Sequence, residues 1–370
     1  MILVIAEKPS VAQSIAKVLG ATSRKDGYME GGNYIVSWCF GHLVELADAS
    51  SYDERYAKWR YDDLPIVPEN WMFEVTKDKA QQFKVLSSLM KDKRVTELVC
   101  ATDAGREGEL IFRLVYNKAG CTKPFKRLWI SSLEDSAIRE GFNHLRDGKE
   151  YDRLYEAALS RSKADWIVGI NGTRLFTTLY HKKLVVGRVQ TPTLAMLVER
   201  DGKISTFHKE KYFNVHVGKG DLTADLEKVK TEEEAKRIAA ACEKKQAVVS
   251  SLKRETKTVN PPKLYDLTTL QREANRYYGF TAQQTLDLVQ TLYEKKLLTY
   301  PRTDSQFITD DMEDTARQVI SIVCRQFPLF SGVLVTPDIA RVTDNSNVTD
   351  HHAILPTVQL EKQDVSALPQ

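Results

Sequence analysis

With 370 residues the chain exceeds what one hydrophobic core serves, so two to four domains are expected. A composition 42% hydrophobic and 28% charged excludes a disordered or fibrous chain; no apolar run is long enough to span a membrane, and Met1 enters a short apolar strand without a basic leader or cleavage site, so a cytoplasmic placement is expected. Five cysteines, odd in number and without a CxxC pair, speak against a disulfide framework or zinc ribbon, and a net charge of +3 neither demands nor excludes nucleic acid.

The opening MILVIAEKPSVAQSIAKVLG predicts a buried strand over Ile2 to Ala6, a polar turn, and a helix with Val11, Ile15, Val18 and Leu19 inward and Gly20 as its stop. Glu7 and Lys8 therefore fall at the carboxyl end of a strand. The arrangement recurs at LVCATDAGREGELIFRLVYNKAG, with a strand over Leu98 to Ala101, an acidic turn carrying Asp103 and Glu107, and a helix on Leu110, Ile111, Leu114 and Val115. A third unit, RLWISSLEDSAIREGF, predicts a strand over Leu128 to Ile130, a capping box from Ser131 to Glu134, and a helix turning Ile138, Phe142 and Leu145 inward. Three strand-to-helix units predict a mostly parallel sheet covered by helices, and in such sheets ligands collect beyond the carboxyl ends of the strands.

From Tyr151 to Ile204 the pattern is helical. Leu154, Ala157, Ala158, Ala164, Asp165 and Val168 trace one face, and TPTLAMLVER starts a helix with Thr191 as cap and Pro192 at its first position. From 211 the period becomes two: Phe213, Val215 and Val217, a GKG turn, then Leu222, Ala224 and Leu226 predict a hairpin. A helix capped by Thr231 and Glu234 follows, AVVSSL returns to strand character, and Pro261 and Pro262 mark a linker. Beyond it, paired helices use Leu286, Val289, Leu292 and Tyr293, with Lys295 and Lys296 favouring the last carboxyl end. Tyr300 emerges next, and Pro301 steers it into an extended backbone that displays its ring.

Glu7, Asp103 and Glu107 on strand ends form a hard-oxygen site suited to Mg²⁺. A lone DxxxE is more often an acid on a helix's first turn; two acidic strand ends in one sheet shift the balance toward metal. Lys8 adds a cation able to meet phosphate or protonate a leaving oxygen. No GxxxxGK[ST] occurs, so no P-loop nucleotide hydrolysis is indicated and no nucleotide cofactor is expected. A tyrosine can conserve the energy of a phosphodiester as a phosphotyrosine, provided cations such as Arg302 and Lys8 help a phenol whose free pKa is about 10. In DHHAILPT, His351 and His352 read either as solvent-facing imidazoles on a turn or as a phosphate contact.

Seven strings in order, EKPSVAQSIA, ATDAGREGELIFRL, SRSKADWIVGINGTRLF, GRVQTPTLAMLVER, LYDLTTLQREANRYYGF, LTYPRTDS and DHHAILPT, resemble the type IA DNA topoisomerases over residues 1 to about 357, and EKPS and HHAI lean toward the topoisomerase III branch. The resemblance implies a multidomain α/β plus α fold: a Toprim domain with a Rossmann-like parallel sheet over 1–150, a helical groove domain over 151–208, part of a β arch over 209–262, and a helical nucleophile domain over 263–370. It implies Tyr300 as the nucleophile forming a 5′-phosphotyrosine on single-stranded DNA and Arg302 as the phosphate clamp. Glu7, Asp103 and Glu107 fall at metal and acid–base positions with Mg²⁺ as cofactor, Lys8 at the phosphate cation, and His351 beside the phosphate. Arg161, Asp165, Arg188 and Gln190 fall in segments lining the single-strand groove. A helicase is a further partner the family suggests, and no membrane is expected.

Two departures stand out. The Toprim pattern DxDxE has Gly105 where the middle acid belongs, so the metal must lean on the remaining acids or on water; Glu109, one helical step away, is expected to point elsewhere. Family members also continue well past the HHAI string, so this chain is expected to be part of a longer enzyme, with an apolar surface exposed where the rest packs. The competing readings are a single-strand-binding piece without complete strand passage and a Toprim primase or nuclease, which leaves Tyr300 without a role.

Overall fold

Alternation within the first strand builds the centre of the fold. In β1 (Ile2–Ala6) the side chains of Leu3 and Ile5 enter one apolar cluster and those of Val4 and Ala6 another. A strand buried on both faces needs a continuous apolar run, and ILVIA is one. The computed structural model describes residues 1–246, 248–327, 337–348 and 351–364. It divides into two compact units, Met1–Gly187 with Pro262–Gln370, and Arg188–Pro261.

In the first unit α1 (Pro9–Leu19) starts with proline in its first turn and stops at Gly20, whose φ of 74° is left-handed. Strands β2 (Ser23–Lys25), β3 (Tyr28–Gly31) and β4 (Tyr34–Trp38) form an antiparallel meander, and β4 lies parallel to β1. A separate ribbon pairs β5 (Val44–Leu46) with β6 (Phe73–Val75), and the short α2 (Ala49–Tyr52) lies between them in sequence. Then follow α3 (Ala80–Lys91), β7 (Glu97–Ala101), α4 (Arg106–Lys118), β8 (Phe125–Arg127), α5 (Asp135–Asn143) and β9 (Arg146–Asp147). The sheet order β2-β3-β4-β1-β7-β8-β9 is parallel from β4 to β8, as the three strand-to-helix units predict, with antiparallel edges.

The third unit differs from its reading. Its strand ends at Arg127, so Leu128 to Ile130 lie beyond it, and Ser131 to Glu134 form no capping box: Ser132 Oγ accepts from the Glu134 amide instead. The long α6 (Asp152–Tyr180) buries Ala158 as expected but not all of the face traced for it. Ala157, Ala164 and Val168 are exposed, whereas Tyr155, Ala158 and Leu159 meet the core. Further along, Trp166 Nε1 donates to Ala47 O at 3.0 Å, Asn171 makes two bonds with the Ile66 main chain, and Arg174 donates to Tyr56 O at 2.8 Å.

After the linker, α9 (Leu267–Tyr278) and α10 (Ala282–Glu294) are the paired helices expected; they follow two helices of the second unit, α7 (Gln190–Ser205) and α8 (Glu232–Cys242). Val289 and Tyr293 are buried, and Thr281 with Gln284 caps α10. A last helix, α11 (Glu313–Gln326), packs through Ala316 on Ile308 and Ile339. The extended segment after α10 is stitched to residues 353–357: Thr299 N donates to Leu355 O at 2.9 Å and Thr357 N to Leu297 O at 3.0 Å.

In the second unit α7 begins at Gln190, so Thr191 lies inside the helix rather than capping it; its Leu194, Met196, Leu197 and Val198 are each more than 60% exposed. The expected hairpin forms from β10 (Phe213–Lys219) and β11 (Leu222–Val229), with Val217 paired to Ala224. Val215 and Val229 pack with Ala235 of α8. No strand forms at Val248 to Leu252; Ala247, which opens that string, and Asp350 of DHHAILPT lie outside the described residues. Among the described residues no helix is long and apolar enough to cross a membrane.

Candidate active site

The carboxyl ends of β1 and β7, adjacent and parallel, bring Glu7 and Asp103 together. The Asp103 amide donates to Glu7 Oε2 at 3.3 Å. Burial first, and then the Asp103 carboxylate, push Glu7 from 4.5 up to about 7. The turn is tightly built: Thr102 Oγ1 donates to Gly108 O at 2.7 Å, and a Cβ on Gly108 would stand 2.0 Å from Asp103 O, so only glycine lets α4 approach this closely.

Tyr300 meets this pair. Its hydroxyl donates to Asp103 Oδ2 at 2.8 Å, its amide to Ser131 O at 3.2 Å, and its ring lies 4.3 Å from the His351 ring and 5.4 Å from Tyr293. The ring is 8% exposed rather than displayed, because it is packed into the second face of the sheet. Burial, reinforced by Asp103, holds the phenol well above its ordinary value, while Arg302 pulls it down. His351 is also buried, which lowers it to about 4, and its Nδ1 lies 3.1 Å from Ser131 Oγ. His352 is buried too, so neither imidazole faces solvent.

A cavity of about 700 Å³ joins these groups, and Glu7, Lys8, Glu107, Arg161 and Arg302 are on its wall with Asp103, Tyr300 and His351. The amino ends of α1, α4 and α9 reach it through Lys8, Arg106 and Leu267, which suits anionic oxygens. Lys8 Nζ is 3.9 Å from Glu294 Oε1. Asp165 lies one turn beyond Arg161 on α6 and does not line the cavity. Arg188 and Gln190 are exposed residues of the second unit.

The donor set suits a hard divalent cation. Glu7 and Asp103 are close enough to raise Glu7, and a cation between them would relieve that repulsion. Glu107 is turned aside to Arg161 and to His42, whose Nε2 is 3.5 Å from Oε2. Among the described residues no group of three acidic, histidine or cysteine side chains stands ready to hold an ion.

Behind the site lies a buried network. Glu109, with no exposed surface, pairs with Arg127 Nε at 3.2 Å and Arg113 Nε at 2.8 Å, so it points away from the cavity as expected. Arg127 donates to the carbonyls of Cys100, Thr102 and Leu128 and, at 2.6 Å, to that of Asp103. The guanidinium thus clasps the strand end that carries Asp103.

A family model described as DNA topoisomerase matches residues 149–368, and one described as Toprim domain matches 2–133. The chain belongs to the DNA topoisomerase family. It is 44% identical over 363 residues to DNA topoisomerase 3 of Staphylococcus haemolyticus, covering 96% of this chain and 51% of that protein. Identity to DNA topoisomerase 3 of Bacillus subtilis is 43% over 367 residues, covering 96% and 50%. The structure of full-length topoisomerase I from Thermotoga maritima matches with a TM-score of 0.65 at 26% identity, over 96% of this chain and 55% of that one. The chain spans about half the length of the curated relatives it matches. The type IA resemblance, its topoisomerase III leaning and the mixed α/β fold hold.

Around this cavity, the motif reading passed over His42, Arg127 and Ser131. The signal for His42 was present: YIVSW is a strand, and GH follows its end as EK follows β1. Arg127 and Ser131 carry no local signal, since an arginine beside LWI reads as an ordinary strand edge.

Proposed function

We propose that this chain carries the cleavage and religation centre of a type IA DNA topoisomerase that acts on single-stranded DNA without ATP. The observation that supports it most is the Tyr300 hydroxyl donating to Asp103 at 2.8 Å in a cavity whose wall also carries Lys8, Arg161 and Arg302. The phenol is too weak an acid to ionise unaided, so Asp103 takes its proton as Tyr300 Oη attacks a backbone phosphorus. The Tyr–O–P bond forms as the bond from phosphorus to the 3′ oxygen breaks, leaving a 5′-phosphotyrosine. Glu7, poised near 7, protonates the departing 3′ oxygen and takes that proton back when the 3′ hydroxyl reverses the step. Arg302, Lys8 and His351 hold the phosphate oxygens. Glu7, Asp103 and Glu107 would hold Mg²⁺, which when bound supplies positive charge to the phosphate during religation.

In this reading Arg161, Asp165, Arg188 and Gln190 are single-strand-binding residues, and residues 1–150, 151–208, 209–262 and 263–370 are the Toprim, helical, arch and nucleophile portions. Strand passage, a cytoplasmic setting and a helicase partner belong to the same proposal. The competing reading is a piece that binds single-stranded DNA without complete strand passage.

Single-stranded DNA labelled at either end, quenched with denaturant, tests the centre. An adduct on the 5′ phosphate, absent in Tyr300→Phe, is expected. DNA binding without any adduct in the wild-type chain would leave only the binding reading.

A further inference from the structure

Of Glu7, Asp103 and Glu107 on the cavity wall, Glu107 is the one held away from the other two. Arg161, from α6, sets Nη2 against Oε1, while His42 stands at Oε2. His42 reaches this point because β4 neighbours β1. Beyond Trp38 the chain follows the end of β1, Cys39 N donating to Ala6 O at 2.8 Å and Gly41 N to Glu7 O at 3.3 Å. Gly41 then turns left-handed at φ 66°, and Lys79 Nζ fixes the His42 carbonyl at 3.0 Å. Gly105 brings no acid to the turn, and Glu109 is spent on Arg127 and Arg113. Glu107 is therefore the acid of α4's first turn left for a cation, and Arg161 already neutralises it.

Resting on the reading above, we propose that Arg161 is a positioning residue that couples DNA to the cation: its pair with Glu107 withholds the third carboxylate until a DNA phosphate takes the guanidinium. Cation binding by Glu107 breaks this pair, and so does phosphate binding by Arg161. The break is needed once, so each ligand raises the affinity for the other by the same factor. The pair is partly exposed, with side chains 35% and 48% accessible. A factor of about fivefold follows for such a pair. His42 stays at Oε2 when Arg161 leaves and keeps Glu107 turned toward the site.

The test measures Mn²⁺ affinity of the full chain by the signal of the free ion, with and without a saturating single-stranded oligonucleotide, its own Mn²⁺ binding subtracted. All proteins carry Tyr300→Phe so that no strand is cut, and oligonucleotide occupancy is followed separately by anisotropy. The parent is expected to gain about fivefold in Mn²⁺ affinity when the oligonucleotide is bound. Arg161→Ala is expected to bind Mn²⁺ more tightly than the parent without DNA and to gain nothing from it; Arg161→Lys keeps part of the gain, and His42→Gln keeps the ratio. An equal gain in the parent and Arg161→Ala overturns the proposal while leaving the topoisomerase reading in place, since the DNA then recruits the ion by itself. No Mn²⁺ bound by any protein, with or without DNA, overturns both.

Discussion

At the scale of single residues, Glu7 carries a charge conflict that pH should expose. Its carboxyl titrates near 7 in the folded chain against an ordinary 4.5, so between those values the folded protein holds a proton that the unfolded chain has released. Stability from this group is present below 4.5 and is lost as pH rises through 7. His351 acts in the opposite sense: lowered to about 4 from 6.5, it costs stability as pH falls from 6.5 to 4. Comparing Glu7→Gln with wild type cancels the histidine. The variant is expected to be more stable at pH 8 by about 1–3 kcal/mol and to lose most of that advantage at pH 4.5, read from urea midpoints. Equal shifts at both values would show that no proton is shared at Glu7. The reason Glu7, Asp103, Glu107 and Tyr300 were legible beforehand is that each sits at a strand end or just after a helix, where a local pattern fixes its address. Arg127 was not, because its importance comes from partners brought together by the sheet.

At the scale of elements, periodicity located most helices and strands but not always their faces. The apolar run Leu128 to Ile130 looks like a strand, yet β8 pairs Cys100 with Arg127 and the ladder with β7 ends there. An alternating pattern does not choose between neighbouring windows when a buried arginine is paired inside the fold. The face of α6 was misread in part for a related reason. Its inward residues include Trp166, Asn171 and Arg174, polar groups satisfied by the loop between β5 and β6, while small apolar alanines on another side stay exposed. Asn171 is the clearest case, since Ile66 N donates to its Oδ1 at 2.6 Å and its Nδ2 donates to Ile66 O at 2.8 Å. Asn171→Ala should cost about 2–4 kcal/mol in urea unfolding, since it strands both main-chain groups of a buried residue. Asn171→Asp, which keeps the acceptor, should cost less; equal stability of Asn171→Ala and wild type would remove the loop from the fold's support.

At the scale of the whole molecule, the two units differ in how much apolar surface each buries. The sheet of the first unit is covered on both faces by large clusters, whereas the second rests on Val215, Val229 and Ala235 with Phe213 and Ile238. Amides of β10 and β11 should therefore exchange with solvent at least about 100-fold faster than those of β1, β4 and β7 in hydrogen-exchange mass spectrometry, because local opening of so small a core costs little. Similar protection in both sheets would mean that the hairpin gains support beyond its own unit. The seat of Tyr300 has a further consequence, one of chemical safety. A phenol buried at 8% exposure and held in its protonated form is a poor target for the acylating and nitrating agents that a cell produces, whereas Tyr61, Tyr277 and Tyr278, more than half exposed, are open to them. Tyr300 is thus stored where stray electrophiles do not reach it.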